Sequence, residues 1–333
     1  MKKVKLGLIG CGGRMGCHMQ GLEALDNVEV VAVADPIEER AQNAAKRMGA
    51  QRIYKNHTEL FDNESKETLD AVIIAVEPTA HTDIEERAIE MGLHFIVEKP
   101  MTLDLEKADK IEKMIKENNI ITSVGFQDRY LNLMEIVKDE LAKYKPGCVV
   151  HGRWAGGIPG VWWWQKKSTC GGQLIEQNIH LLDGLRWLFG EAKSIYAVSS
   201  RGIVEPGVTA KPEYDTDDYS VCLITFENNV TATLTSSCYS RGVRPSCGLH
   251  ITLPEVVIDY HLRNNVTLEY ADKTIDIKRN HEQTDNLDKA FVEAVLTGDT
   301  SQIRSDYSDA LKSLKLCFAA EESMATGKAI YFE

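Results

Sequence analysis

The sequence predicts an α/β domain built on a doubly wound parallel sheet, followed by an α+β domain with a large, mostly antiparallel open sheet. Three observations carry this. Up to about Gly125, short apolar runs alternate with helix-compatible segments, the pattern of parallel strands joined by crossover helices. Beyond Gly125, strand-like runs follow one another with few helices between them. The first apolar run, Leu6 to Ile9, stops at Gly10-Cys11-Gly12-Gly13-Arg14-Met15-Gly16. At 333 residues the chain has room for two domains of ordinary size, expected at 1–125 and 126–333.

A helix-compatible segment follows the glycines, and a second apolar run, Val28 to Ala34, closes on Asp35. Strand, glycine turn, helix, strand and terminal carboxylate are the parts of a dinucleotide-binding βαβ unit, so the first domain is expected to be a Rossmann domain. Gly10, Gly12 and Gly13 let backbone amides approach a pyrophosphate. Arg14 and Met15 open a helix whose N-terminus adds donors and a favourable dipole. Asp35 then accepts hydrogen bonds from the adenosine ribose. The loop reads GxGGxxG, with its third glycine one place late, and glycines alone also mark ordinary turns. Both strands and Asp35 in register favour the nucleotide. No Lys or Arg adjoins Asp35, and its charge would repel a 2′-phosphate, so NAD is expected over NADP. Arg40, about a turn along, would soften that preference.

The remaining elements follow in order. Pro36 to Gly49 reads as a helix and Arg52 to Tyr54 as a short strand. Asp70 to Val76, DAVIIAV, is apolar throughout, as a strand buried on both faces should be. A helix over Asp83 to Met91 stops at Gly92, and His94 to Val97 leads into Glu98-Lys99-Pro100. Leu105, Ala108, Ile111 and Ile115 share one helix face, and Ile120 to Val124 is the sixth strand. Eight strand-like runs follow between Cys148 and Ile277, two of them joined by a tight turn at Asn228-Asn229. Gly202 to Asp217, with two prolines, reads as a long exposed loop, a lid or an oligomer arm. Helices over Asp285 to Leu296 and Ser308 to Met324 finish the chain.

Composition narrows the function. A net charge of −12 argues against extended contact with nucleic acid or an anionic membrane. No apolar run reaches the length of a transmembrane helix. The start, MKKVKLGLIGCGG, resembles a signal peptide, but its apolar core is short and runs into the glycine loop, so it reads as the first strand. The eight cysteines form no CxxC, which suits reduced thiols and a cytoplasmic protein. Cys11 and Cys17 flank the glycine loop, as packing residues or as oxidation-sensitive thiols. No Cys/His grouping suggests a metal.

Two further stretches carry candidate chemistry. Treated as one helix at about 100° per residue, Leu174 to Phe189 gathers Glu176, His180, Asp183 and Trp187 on a single side and its leucines on the other. Glu176 and His180 are four apart, spaced for a carboxylate to orient an imidazole, although a solvated polar face is the simpler reading of the spacing. The Gly171-Gly172 approach permits close contact with a ligand. Lys99 ends a parallel strand, where ligands of open α/β sheets collect, and reads equally as a surface lysine.

With these motifs the chain resembles the glucose–fructose oxidoreductase/inositol dehydrogenase (Gfo/Idh/MocA) family over nearly its whole length. The glycine loop ending in Gly16-Cys17-His18, the segment AVEPTAH from Ala75 to His81, Glu98-Lys99-Pro100, GGQLIEQNIHLLD from Gly171 to Asp183, and SDYSDALKSL near the C-terminus are all similar to family motifs. The resemblance implies an NAD(P) site that includes Ala75, Val76, His81 and Glu98, a cis Lys99-Pro100 bond, catalytic Lys99 and His180, and Glu176 where an aspartate is usual. Three departures from the pattern stand out: Glu176 is one methylene longer, Asn178 replaces a small residue, and Val76-Glu77-Pro78 replaces Thr-Pro-Asn.

The substrate class follows from aromatics. Among Trp162-Trp163-Trp164, Trp163 and Trp164 are candidates to stack on a sugar face, with core packing or an oligomer contact as the alternative. Arg129 and Tyr130 fall where family members border the nicotinamide, or form a structural hinge. The expected function is an NAD-dependent dehydrogenase of a sugar, glycoside or cyclic polyol. A redox-neutral NAD-dependent glycosidase and a non-catalytic NAD- or sugar-binding regulator remain as alternatives. A homodimer or homotetramer formed through the open sheet is expected.

Overall fold

The computed structural model describes residues 2–280 and 286–332. The chain divides into two compact units, Met1–Tyr130 with Glu282–Leu311 and Leu131–His281 with Lys312–Glu333.

The first unit opens with β1 (Val4–Ile9), α1 (Gly13–Glu23), β2 (Val28–Ala34), α2 (Glu38–Met48), β3 (Arg52–Tyr54) and α3 (His57–Asn63). It continues with β4 (Ala71–Ile74), a 3₁₀ turn at Pro78–Ala80, α4 (Ile84–Glu90), β5 (His94–Val97), α5 (Leu105–Asn118) and β6 (Thr122–Val124). The six strands are parallel in the order β3-β2-β1-β4-β5-β6, the doubly wound Rossmann arrangement. All four residues of β4 are buried, as its apolar run requires. Local sequence sets the helix ends. Glu38 and Glu39 open α2, Lys46 and Arg47 close it, and Gly49 caps it in the left-handed region. Asp104 caps α5 by accepting from the amides of Glu106 and Lys107.

The second unit contains α6 (Asn132–Leu141), β7 (Val149–Ala155), a 3₁₀ turn at Trp162–Gln165, α7 (Lys167–Cys170), a π-helical turn at Leu174–Asn178 and α8 (Ile179–Phe189). Then come β8 (Ala192–Ser200), β9 (Tyr219–Phe226), β10 (Thr231–Ser237), β11 (Ser246–Thr252), β12 (Val256–His261), β13 (Asn265–Tyr270) and β14 (Thr274–Lys278). α9 (Asn286–Thr297) belongs to the first unit, where Leu287, Phe291 and Val292 join Met15 and Leu22 in one core. Asp285, the expected start of this helix, lies outside the described residues. α10 (Tyr307–Thr326) passes into the second unit at Lys312, and β15 (Ile330–Tyr331) pairs with β8.

The nine strands of the second unit run in the order β14-β13-β12-β11-β7-β10-β9-β8-β15, and every pair is antiparallel except β7 with β10. Alternate residues such as Ile195, Cys222, Ala232, Val150 and Ile251 are buried. On the other face Tyr196, Leu223 and Val149 are exposed. α8 and α10 are tied together by Ser313, which donates to Asp183 and accepts from Arg186.

Two expectations need correction. Leu174 to Phe189 is not one uniform helix, because the π-helical turn advances fewer degrees per residue than 100°. The single polar face therefore breaks up: Asp183 is buried against Ser313, and Trp187 lies under Lys138 Nζ. The segment Gly202 to Asp217 is exposed only in part. Asp218 accepts from the amides of Ile203 and Val204 and from the Tyr214 hydroxyl, and Val204 and Tyr214 are buried with Trp164 and Cys238. Its two ends are thus pinned, which an untethered lid would not be.

Candidate active-site residues

In the first unit, parallel register lines up four strand ends. Ile9 is opposite Ala34 and Ile74, and Ile74 is opposite Val97. Asp35, Gly10, Ala75 and Glu98, each the residue after its strand, therefore form a row along the carboxyl edge of the sheet, with Val76 and Lys99 one residue further. That edge is where open α/β sheets take ligands. Gly10 has φ +81°, and a Cβ there would stand 2.5 Å from Ala75 O, so no other residue fits. A Cβ at Gly12 or Gly13 would instead meet no protein atom within 4 Å, which leaves room for a phosphate to approach the backbone. α1 begins there with no acidic residue in its first turn and no side-chain cap, so its leading amides face outward unopposed. This cradle fits a dinucleotide pyrophosphate.

Several expected cofactor residues have specific jobs in the structure. Met15 is wholly in the core, so only its backbone faces the cradle. Asp35 Oδ2 accepts from Cys11 N at 2.7 Å and Oδ1 from Ile37 N at 2.8 Å, so the carboxylate braces the glycine loop. Each oxygen keeps a further lone pair for a ribose hydroxyl. Arg40 is exposed on α2. His81 is buried with Nδ1 2.5 Å from Glu85 Oε1, tying the turn after β4 to α4. The Cys11 thiol is buried, and burial and the Asp35 charge push its pKa up to about 12, which makes it a packing residue rather than a reactive thiol. Cys17 is exposed. Arg129 is buried, with Nη1 donating to Arg304 O at 2.6 Å and pairing with Asp309, so it braces the fold of its own unit. The Lys99-Pro100 bond is cis, and Lys99 is half-buried.

In the second unit, Gly171 and Gly172 both adopt positive φ, turning the chain into the π-helical segment. His180 is buried, its ring stacked on Trp154 at 6.3 Å between centroids. Glu176, on the π-helical turn, accepts from Trp164 Nε1 at 2.9 Å. The three tryptophans divide by depth: Trp162 is 57% exposed, Trp163 is half-buried and Trp164 has no exposed surface. Trp164 thus acts on Glu176 and presents no face to a ligand.

Sequence reading missed a buried chain in the first unit. Glu98 Oε1 accepts from Arg14 Nε at 2.6 Å and lies 3.0 Å from His18 Nε2, while His18 Nδ1 is 2.6 Å from Asp288 Oδ1 on α9. The four-residue spacing of Arg14 and His18 on α1 was a signal for part of this; nothing local pointed to Asp288.

Residues 4–126 match a family model described as the GFO/IDH/MocA oxidoreductase family with an NAD-binding Rossmann fold, and 147–253 match the GFO/IDH/MocA C-terminal domain. Levoglucosan dehydrogenase of Pseudarthrobacter phenanthrenivorans is 26% identical over 312 residues, covering 83% of this chain and 78% of its own length. Glucose-6-phosphate 3-dehydrogenase of Bacillus subtilis is 27% identical, covering 74% and 71%. A solved levoglucosan dehydrogenase in complex with NADH superposes with a TM-score of 0.86 at 20% identity, over all of both chains. Among the described residues no helix is long and apolar enough to cross a membrane, and no group of metal-ligating side chains is present.

Proposed function

The chain belongs to the GFO/IDH/MocA oxidoreductase family, and from that premise we propose that it oxidises a secondary hydroxyl of a sugar, glycoside or cyclic polyol with NAD as acceptor. The observation that carries this reading is Lys99, set just past β5 on the edge that also presents the glycine cradle. The named relatives are dehydrogenases, which favours net oxidation over redox-neutral glycoside cleavage or a purely regulatory role.

Bound NAD supplies the hydride acceptor. Breaking the C–H bond requires loss of the hydroxyl proton, or a protonated ketone would form. His180 takes that proton; its Nδ1 is inaccessible, so Nε2 is the accepting atom. Glu176, fixed by Trp164, steadies the imidazolium. Lys99 is the second catalytic group, a cation that donates to an oxygen on which negative charge develops. Trp163, half-buried, offers an aromatic surface for the sugar. A panel of sugars and polyols assayed for NADH formation tests this, and the absence of any substrate from a protein that binds NAD would refute it.

The second unit's sheet carries exposed Tyr196 and Val198 on β8, Leu223 on the adjacent β9, and Val149 on β7 beyond β10, at 40–48% exposure. Tyr196 and Leu223 sit directly opposite one another. A second copy of the chain covering this face is the assembly these side chains favour.

A further inference from the structure

One set of buried charges that this reaction does not use converges on Glu98. Its Oε1 meets both Arg14 Nε and His18 Nε2, and His18 Nδ1 meets Asp288 Oδ1. Arg14 Nη2 also donates to Gln127 Oε1 at 2.8 Å. A neutral imidazole can donate from only one nitrogen, so a carboxylate at each nitrogen requires the imidazolium. Burial opposes that charge, but the charge and hydrogen bond of Asp288, with those of Glu98, raise the His18 pKa to about 10. Burial likewise opposes ionisation of Glu98, yet Arg14 and His18 hold its pKa down to about 2. The carboxylate lies over Gly125, where a Cβ would stand 2.4 Å from it. Only a residue without a side chain leaves Glu98 its place.

We propose that Asp288, His18 and Glu98 form a charge-balanced positioning chain that holds Arg14 and Lys99 for the dinucleotide. The proposal rests on the NAD-binding reading of the glycine loop. Two anions, Asp288 and Glu98, face two cations, His18 and Arg14, so the set is neutral and carries no excess charge into the interior. Glu98 precedes Lys99, so anchoring its carboxylate anchors the backbone from which Lys99 projects. The same oxygen orients the Arg14 guanidinium at the start of α1, beside the phosphate cradle. Asp288 reaches this chain only because α9 packs on the Rossmann unit.

Removing one charge should create a new titration. In His18→Gln, Glu98 and Asp288 lose the imidazolium between them, so burial favours the protonated form of a carboxylate left without its cation. In Asp288→Asn, His18 loses its strongest partner and its titration falls towards the neutral range. Among the described residues, the charged groups that raise the His18 pKa are Asp288 on α9 and Glu98 after β5. NADH affinity, measured by fluorescence titration between about pH 6 and 9, should be flat in the parent. Each single variant should bind about tenfold more weakly and show a pH-dependent affinity, as expected for losing a charged hydrogen bond. The double variant, H18Q with D288N, restores charge balance and should recover both the affinity and the flat profile. A purely structural role predicts instead that the double is at least as weak as the worse single. Flat profiles in both singles, or no recovery in the double, would overturn the proposal. Gly125→Ala removes no charge but displaces Glu98, so it should also weaken NADH. If the single variants do not fold, normal NADH affinity in a folded Gly125→Ala decides against the proposal. A parent chain that fails to bind NADH would overturn the nucleotide reading itself, and the proposal with it.

Discussion

The Glu176 carboxylate is held by an indole N–H from a ring with no solvent exposure. Trp164→Phe keeps most of the ring and removes the donor. A hydrogen bond to a charged group contributes about 1.5–3 kcal/mol, so turnover should fall about tenfold or more. The same loss should lower the melting temperature by several degrees without unfolding the protein at about 25 °C, and steady-state kinetics with a melting curve on the same protein check both. His18 supplies a second test at this scale. Its folded pKa is raised to about 10 from an ordinary value of 6.5. The stability it adds is therefore complete below about pH 6.5 and lost as pH rises through about 10. Urea denaturation of the parent and His18→Gln should show a stability gap that shrinks steadily from pH 7 to 10. A gap that widened would contradict the assignment.

Among the elements, legibility followed sequence distance. The glycine loop, β2 and Asp35 lie within one stretch of chain, and each makes its contacts there or in the neighbouring strand, so the Rossmann start was readable. The strands of the second sheet were readable because alternate residues face opposite sides. His18 was opaque because its partners lie 80 and 270 residues away. The π-helical turn was opaque because nothing in Leu174–Asn178 departs from an α-helical pattern; its cause is tertiary. Trp164 read as a ligand platform because aromatic residues look alike until depth is known. α3 and α6 are short helices that no strong local signal announces. The pinned loop makes its own prediction. Asp218 is fully buried and accepts from three donors, so Asp218→Ala strands the amides of Ile203 and Val204 and leaves the Tyr214 hydroxyl only Cys238 Sγ. A loss of about 3 kcal/mol is expected, since each unsatisfied buried donor costs about 1–3 kcal/mol. Denaturant unfolding measures it, and a loss below about 1 kcal/mol would show the segment to be loosely held.

For the molecule as a whole, the exposed row on the second sheet predicts association. Light scattering should give a mass that is a multiple of the 37.2 kDa chain, and Leu223→Lys should shift it towards the monomer. A monomer at micromolar concentration would leave that face without the proposed partner. The acidic charge and the Asp35 carboxylate point the same way on the cofactor, since a 2′-phosphate beside Asp35 is repelled. kcat/KM should favour NAD⁺ over NADP⁺.

The central proposal is that Lys99 and His180 are the catalytic groups for oxidising a secondary alcohol, in which the hydroxyl gives up a proton and its carbon a hydride to NAD. The most direct measurement is NADH formation from the best substrate of a sugar and polyol panel, in the parent, Lys99→Ala and His180→Ala, with NADH binding measured alongside. Binding should be largely kept while turnover falls by at least about a hundredfold in each variant, the usual scale for losing a positioned acid or base. Near-normal turnover in both variants would contradict the account.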